Sequence, residues 1–208
     1  MNVLALSTLG RLTACALIAG AAALAQAQTP PTPPITPVPL PDGRIIQVSA
    51  PPAQAHPDGG WMDWRLHFKR TSLDRRFTAL GFVQSSNNPK HDPVEVHLVK
   101  PSGQIIPLRN SDVVDVLWTI DGQYLIGQGS NTLRLWNTNG GLRVRQLPRM
   151  DRLDVIPNLV CVAVRDFTDS AGNETDVWTV YRLHIPSLRP AGQFKLPEEP
   201  TERQRFCR

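Results

Sequence analysis

Between residues 113 and 147 apolar and polar side chains alternate in four short runs separated by turn residues. The runs are "DVVDVLW", "QYLIGQG", "TLRLWNT" and "LRVRQL". In "TLRLW", Leu133 and Leu135 fall on one face while Arg134 and Trp136 fall on the other. That period of two predicts half-buried strands. The segments between them, "TIDG" closing on Gly122, then "SN", then "NGG", hold residues that turn tightly or accept positive φ. The stretch therefore predicts a four-stranded antiparallel unit.

The same succession recurs on either side. Residues 94–108, "VEVHLVKPSGQIIPL", match 132–147, and 180–196, "VYRLHIPSLRPAGQFKL", match them again. Upstream, "TSLDRRFTALGFV" parallels "WTIDGQYLIGQG", with Asp74 falling where Asp121 does and Phe77 where Tyr124 does. The third copy is blurred, "DVIPNLVCVAV", with Pro157 and Asn158 as its turn. The long turns "QSSNNPKHDP" and "DFTDSAGNET" account for unequal spacing. Four-stranded units of about 40 residues are propeller blades. The expected fold is all-β, a propeller-like array of about three to four four-stranded antiparallel blades. A twisted β-sandwich made from the same hairpins is the alternative. Three blades fit between Trp61 and Pro197, and residues 43–50, "GRIIQVSA", offer one extra strand. Both a small ring with a deficient blade and an open arc remain compatible with this count. An open arc leaves edges that invite pairing.

Residues 113–147 resemble a blade of the WD40 or YVTN propeller families, with Trp136-Asn137 standing where such blades end in Trp-Asp. The resemblance implies a divergent bacterial propeller repeat. No Gly-His dipeptide opens a unit, and Val99 and His184 are aligned with Trp136 in the other copies. The hydrogen-bonded His-Ser-Asp-Trp network of WD40 blades is therefore not expected.

The two ends read differently from the middle. Residues 1–27 carry one charge, Arg11, followed by an apolar run from Leu12 to Leu24 and then Ala25-Gln26-Ala27. This is the pattern of a secretory signal peptide. A minor alternative is a lipid anchor at Cys15, in the lipobox-like "LTAC". Ten of the 20 prolines lie between Pro30 and Pro57, so residues 28–60 are expected to form an extended Pro-rich spacer. Residues 61–196 would be the propeller-like domain and 197–208 a polar tail. The whole chain has a net charge of +4 without a Lys/Arg block, which argues against nucleic acid as a partner. No transmembrane segment is expected in the mature chain. That chain keeps Cys161 and Cys207, and export to an oxidising compartment predicts that they pair and pin the tail to the core.

Candidate chemistry is sparse. The histidines at 56, 67, 91, 97 and 184 form no H-x-H or HExxH pattern, so no metal site or cofactor is expected. No G-x-S-x-G elbow supports a Ser-His-Asp triad. "GQGS" at Gly127–Ser130 has no following helix or closing Lys and reads as a strand end and turn. The acidic loop "DFTDSAGNETD", with Asp166, Asp169, Glu174 and Asp176, lacks the spacing of a calcium loop and reads as a solvated turn. Asn173-Glu174-Thr175 is a glycosylation sequon, relevant only on a eukaryotic secretion route. No catalytic residue is named. The possible binding patch comprises Arg134, Arg143, Arg145, Trp61 and Trp64, with the arginines suited to an anionic surface and the aromatics to contact hot spots. The expected role is an exported, non-enzymatic scaffold in the periplasm, cell envelope or medium. It would make protein–protein or envelope contacts, with self-association open. The alternatives are an exported hydrolase or lactonase-like propeller enzyme and a structural subunit of an envelope or surface-layer complex.

Overall fold

The structure is a computed structural model that describes residues 29–55, 60–84, 94–108, 113–168, 174–201 and 205–207, the side chains of 167–168 and 174–176 excepted. The expected signal peptide with its Cys15 alternative, His56, His91 and Asp169 lie outside the described residues. A hairpin of β1 (Ile35–Pro39) and β2 (Ile45–Ser49) comes first, followed by a two-stranded ribbon of β3 (Gln54–Ala55) and β4 (Trp61–Met62). Three four-stranded antiparallel meanders follow. The first sheet is β5 (Trp64–Thr71), β6 (Thr78–Gln84), β7 (Val94–Val99) and β8 (Ile105–Pro107). The second is β9 (Asp115–Trp118), β10 (Tyr124–Gln128), β11 (Thr132–Asn137) and β12 (Leu142–Gln146). The third is β13 (Arg152–Ile156), β14 (Leu159–Thr168), β15 (Glu174–His184) and β16 (Pro190–Leu196). The fold is all-β, and among the described residues the sheets form a propeller-like array of three complete blades.

The blades stack through their faces. One apolar cluster joins Ala79, Val96 and Leu98 of the first sheet to Val116, Leu125 and Trp136 of the second. Another joins Ile126, Leu133 and Leu135 to Val160, Val162 and Leu183 of the third. Middle strands are therefore buried on both faces, and all seven residues of β6 are buried. Such strands read as continuous apolar runs in place of the alternation expected of a one-sided sheet. Trp136, expected on a solvated face, is fully buried between the first two blades. Its ring lies where a Cβ on Gly127 would sit, as does a methyl of Val113. Glycine in the middle of β10 thus makes room for the indole.

Turn chemistry repeats between the first two blades down to single hydrogen bonds. Ser72 Oγ donates to Asp74 Oδ1 at 2.6 Å and accepts from Phe77 N at 3.0 Å. Thr119 Oγ1 does the same with Asp121 Oδ1 at 2.6 Å and Tyr124 N at 3.0 Å. The Ser72 hydrogen bond holds the Asp74 carboxyl below its ordinary value against the opposing effect of burial. Arg75 (φ 59°) and Gly122 (φ 68°) occupy the same left-handed position, which costs the non-glycine residue backbone strain. The third blade replaces this six-residue device with Pro157-Asn158 between Ile156 and Leu159, which is why its copy was blurred in sequence. The next turn also fixes a register. Asn137 N donates to Gly141 O as Lys100 N does to Gln104 O and His184 N to Arg189 O. Hence Leu183, and not His184 as expected from sequence, stands where Trp136 does.

The expectation of an unpaired Pro-rich spacer over 28–60 needs correction between residues 35 and 49. Strand β1 pairs with β2 from Ile35↔Ser49 to Pro39↔Ile45. The extra strand expected within 43–50 is β2, and it arrives with a partner. The hairpin turn repeats the blade pattern: Leu40 N donates to Arg44 O and Gly43 N to Leu40 O, as Lys100 with Gln104 and Gly103 with Lys100. The hairpin is therefore the outer half of a fourth blade. Val38, Leu40, Val48 and Ala50 pack on Trp64, Leu80, Phe82 and Val99. Prolines are tolerated because of their phase. With Leu40 N and Ala50 N both bonded across the hairpin, alternation turns the nitrogens of Pro37 and Pro39 toward the free edge, where no donor is needed. Lys69 Nζ donates to Pro37 O on that edge at 2.9 Å.

The other end of the array is closed by the tail. Phe206 and Cys207 pack on Cys161, Ala163, Trp178 and Val180. The disulfide expected from sequence is present between Cys161 and Cys207, with Cα atoms 5.3 Å apart.

Two stability predictions follow from these contacts. Gly127→Ala should lower the free energy of unfolding by about 1–3 kcal/mol through overpacking against the Trp136 ring, read from urea denaturation midpoints. Cys207→Ser opens a closure spanning 46 residues and should cost about 4 kcal/mol on the chain-entropy estimate, read the same way in the absence of reductant.

Candidate functional site: the axial cleft

The first strand of each blade faces the concave side of the array. There β5, β9, β13 and the tail enclose an open cleft of about 620 Å³. Arg70 comes from β5, Trp118 from β9, Arg152 and Asp154 from β13, and Arg205 and Phe206 from the tail. Leu73 and Ile120 project at its rim, 73% and 47% exposed. They hold equivalent places in the two Ser/Thr-x-Asp turns, so the repeat sets them side by side.

The inner strands β9 and β13 each have an edge without a partner strand among the described residues, and there an Asp-Val dipeptide caps it. Asp115 Oδ1 accepts from Val116 N at 2.8 Å, and Asp154 Oδ1 from Val155 N at 2.9 Å. Each aspartate also holds an arginine. Arg70 Nη2 donates to Asp115 Oδ2 at 2.9 Å, linking blade one to blade two. Trp118 Nε1 donates to Arg70 O at 3.0 Å across the same seam. Arg205 Nη1 donates to Asp154 Oδ1 at 2.6 Å, and Phe206 N and Cys207 N both donate to Asp154 Oδ2 at 2.9 Å. Asp154 is buried, and four donors satisfy it, as burial of a charge requires. A third pair, Arg152 Nη2 with Glu199 Oε1 at 3.1 Å, ties the tail to β13. The Nε of Arg152 is buried without a partner among the described residues.

The patch proposed from sequence does not assemble as expected. Cross-strand register sets Arg143 opposite Leu135, Arg145 opposite Leu133, and Arg134 opposite Val144. Directly opposed residues share a face, so Arg134 lies on one side of the sheet and Arg143 and Arg145 on the other. Arg134 Nη1 instead meets Thr132 Oγ1 within its own strand. Trp64 is buried beneath the hairpin and is not an exposed anchor. Trp61 is half-buried on β4, where it pairs with Ala55. None of these five lines the axial cleft. The sequence reading missed Arg70, Trp118, Asp154 and Arg205. Asp-Val recurs at 112–113, 115–116, 154–155 and 176–177, so the dipeptide by itself did not single out the two at the cleft.

The histidines are dispersed. His67 Nε2 lies 3.0 Å from Val114 O, His184 is exposed, and His97 is wedged against the Phe82 ring. Asp166 of the acidic loop takes the Thr179 hydroxyl at 2.5 Å and Lys195 Nζ at 3.6 Å. Among the described residues no three His, Cys, Asp or Glu side chains are grouped to hold a metal ion. No helix among them is long and apolar enough to cross a membrane. A second pocket of about 480 Å³ lies between the turns of blades two and three, with Tyr124, Pro157 and Pro186 in its walls.

No protein-family model matches the chain, and no curated protein matches it. Nine chains of solved structures do. One is a protein from Lactobacillus plantarum, 15% identical with a TM-score of 0.36, covering 77% of this chain and 50% of that one. The chain thus spans half the length of that neighbour. The propeller-like assignment rests on the three stacked sheets and their repeated turns.

Burial of His97 lowers the pKa of its imidazole below the ordinary 6.5, with Glu95, 3.7 Å away, acting in the opposite sense. A histidine whose folded pKa is depressed binds its proton more readily when unfolded, so stability falls as pH drops below about 6.5. Urea midpoints between pH 7.5 and 5 should decline accordingly. The His97→Gln variant should decline less over that interval.

Proposed function

We propose that the chain is a divergent bacterial propeller of the WD40/YVTN type that serves as an exported, non-enzymatic binding scaffold, making protein–protein or envelope contacts through the axial cleft. The observation that carries this reading is the cleft itself. Three blades and the tail build one concave surface, and its carboxylates and arginines are committed to one another and to strand edges. A general acid, base or nucleophile needs a side chain positioned for proton or group transfer, whereas these charges hold walls in place. The Cys161–Cys207 bond supports an oxidising location such as the periplasm or medium, because such bonds persist there and are rare in the cytosol.

Assembly into an envelope or surface layer is the weaker reading. Its natural route is pairing at a free strand edge. The first hairpin turns Pro37 and Pro39 toward that edge, and the tail covers the outer face of the last blade. Size-exclusion chromatography with light scattering should therefore give a monomer, and a stable oligomer would favour the assembly reading. Chemical cross-linking in intact cells, followed by purification from the exported and envelope fractions, tests the scaffold reading. A reproducible partner in those fractions is the expected result. Recovery of the protein only from the cytosol would overturn export.

A further inference from the structure

We propose that the second pocket, between the turns of blades two and three, binds a neutral saccharide. Tyr124, Pro157 and Pro186 would meet the C–H face of a sugar ring, and Asp121, Gln123 and Asn158 its hydroxyls. All six line this pocket and none lines the axial cleft, so the site goes beyond the scaffold reading and does not depend on it. Its volume of about 480 Å³ falls within the roughly 300–1,000 Å³ of small-molecule sites.

The walls are short turns whose backbone is already committed. Thr119 N donates to Tyr124 O, Gly122 N to Thr119 O and Ile185 N to Asn158 O. Gln123 N donates to Asp121 Oδ1 and Tyr124 N to Thr119 Oγ1, both at 3.0 Å. An added strand needs such amides, so recognition falls to side chains. Three of these are open. Asp121 Oδ1 takes the Thr119 hydroxyl and Gln123 N, whereas no partner reaches Oδ2 among the described residues. The side-chain amides of Gln123 and Asn158 are exposed, and neither makes a hydrogen bond within the described chain.

This set selects the ligand's chemistry. The lining has one carboxylate and no Lys, Arg or His, so an anion finds no counter-charge there. A cation meets Asp121 but cannot use the amide donors. Each amide offers two donors and an acceptor, and the carboxylate offers acceptors only. Groups that both donate and accept satisfy the whole set, and hydroxyls are such groups. The apolar side is equally specific. Tyr124 is half-buried against the core between blades two and three, which holds its ring in place. Pro157 and Pro186 lose no rotamer freedom on contact. A proline-rich peptide would suit the ring and the prolines, but its proline residues have no N–H and leave Asp121 Oδ2 unmet. A sugar ring carries hydroxyls at its edge and C–H groups on its face, and matches both walls.

The full mature chain is titrated with maltotriose, cellotriose and triacetylchitotriose by calorimetry and by saturation-transfer nuclear magnetic resonance. Trigalacturonic acid, deacetylated chitotriose and an oligoproline peptide serve as anionic, cationic and proline-rich comparisons. At least one neutral trisaccharide should bind saturably, receive magnetisation at its ring C–H protons, and bind equally at low and physiological salt, since no ion pair is screened. Gln123→Ala/Asn158→Gly should bind about tenfold more weakly, the loss expected of two hydrogen-bonding groups. Glycine accepts the positive φ of residue 158, 65°, and both side chains are exposed, so the urea midpoint should stay near wild type. Gln123→Ala alone should weaken binding by a smaller factor, and Arg143→Ala/Arg145→Ala, outside the pocket, should bind like wild type. No binding of any neutral trisaccharide, tighter binding of a charged comparison or of oligoproline, loss of binding with salt, or undiminished binding by the double variant overturns the proposal.

Discussion

The rest of the structure depends on one constraint: each four-stranded blade is apolar on both faces. A sheet such as the first, whose middle strand β6 is buried along its length, cannot stand alone in water. It must lie between two other layers, and each added layer brings a further apolar face. Stacked repeats meet this condition in their interior and fail it at their ends, where dedicated caps are required. A ring removes the problem by joining the last blade to the first. In this chain the apolar clusters run in a line, from hairpin to first, second and third blades and then to the tail. The two ends are therefore where the sequence departs most from a blade.

The two caps use different chemistry for one purpose. At the N-terminal end half a blade suffices, because Val38, Leu40, Val48 and Ala50 supply one apolar face. Its strand edge is blunted by proline. At the C-terminal end no strand is needed. Phe206 and the Cys161–Cys207 bond cover the last face, and Asp154 gathers two backbone amides and Arg205 so that the tail arrives with its polar groups satisfied. The cleft is a by-product of that closure. Because the tail must reach across β13 to cap the outer face, it carries Glu199 to Arg152 and leaves Arg205 and Phe206 in the cleft wall.

Features decided locally were legible in the sequence. The strands of the second blade, the Asp74/Asp121 equivalence and the disulfide follow from alternation, turn residues and cysteine count. The turns are carried by short-range bonds such as Ser72 to Asp74 and Thr119 to Asp121, whereas the disulfide joins residues 46 apart and was legible from cysteine count and compartment alone. Features decided by packing were not. Trp136 was assigned to the face of Arg134 because alternation alone assumes one solvated face, which stacking removed, and Trp64, read as an exposed aromatic at the start of the domain, is covered by the N-terminal hairpin. The prolines of β1 read as a spacer because their count is visible in sequence, whereas their phase relative to the paired edge is not. The expected arginine patch failed on register, since whether Arg134 joins Arg143 depends on which residue of β12 lies opposite it.

The cleft was hidden for a related reason. Its residues come from positions 70, 118, 152, 154 and 205, which no local spacing connects. What connects them is that the inner strands of the second and third blades each have an unpaired edge that must be neutralised. An aspartate placed before a valine does so, but it leaves a carboxylate on the concave side that requires a cation from the next layer. Arg70 of blade one supplies it for Asp115. For Asp154 the tail supplies Arg205. Edge protection in a stacked array thus concentrates paired charges where the blades converge, and a concave surface lined by ion pairs follows from the architecture.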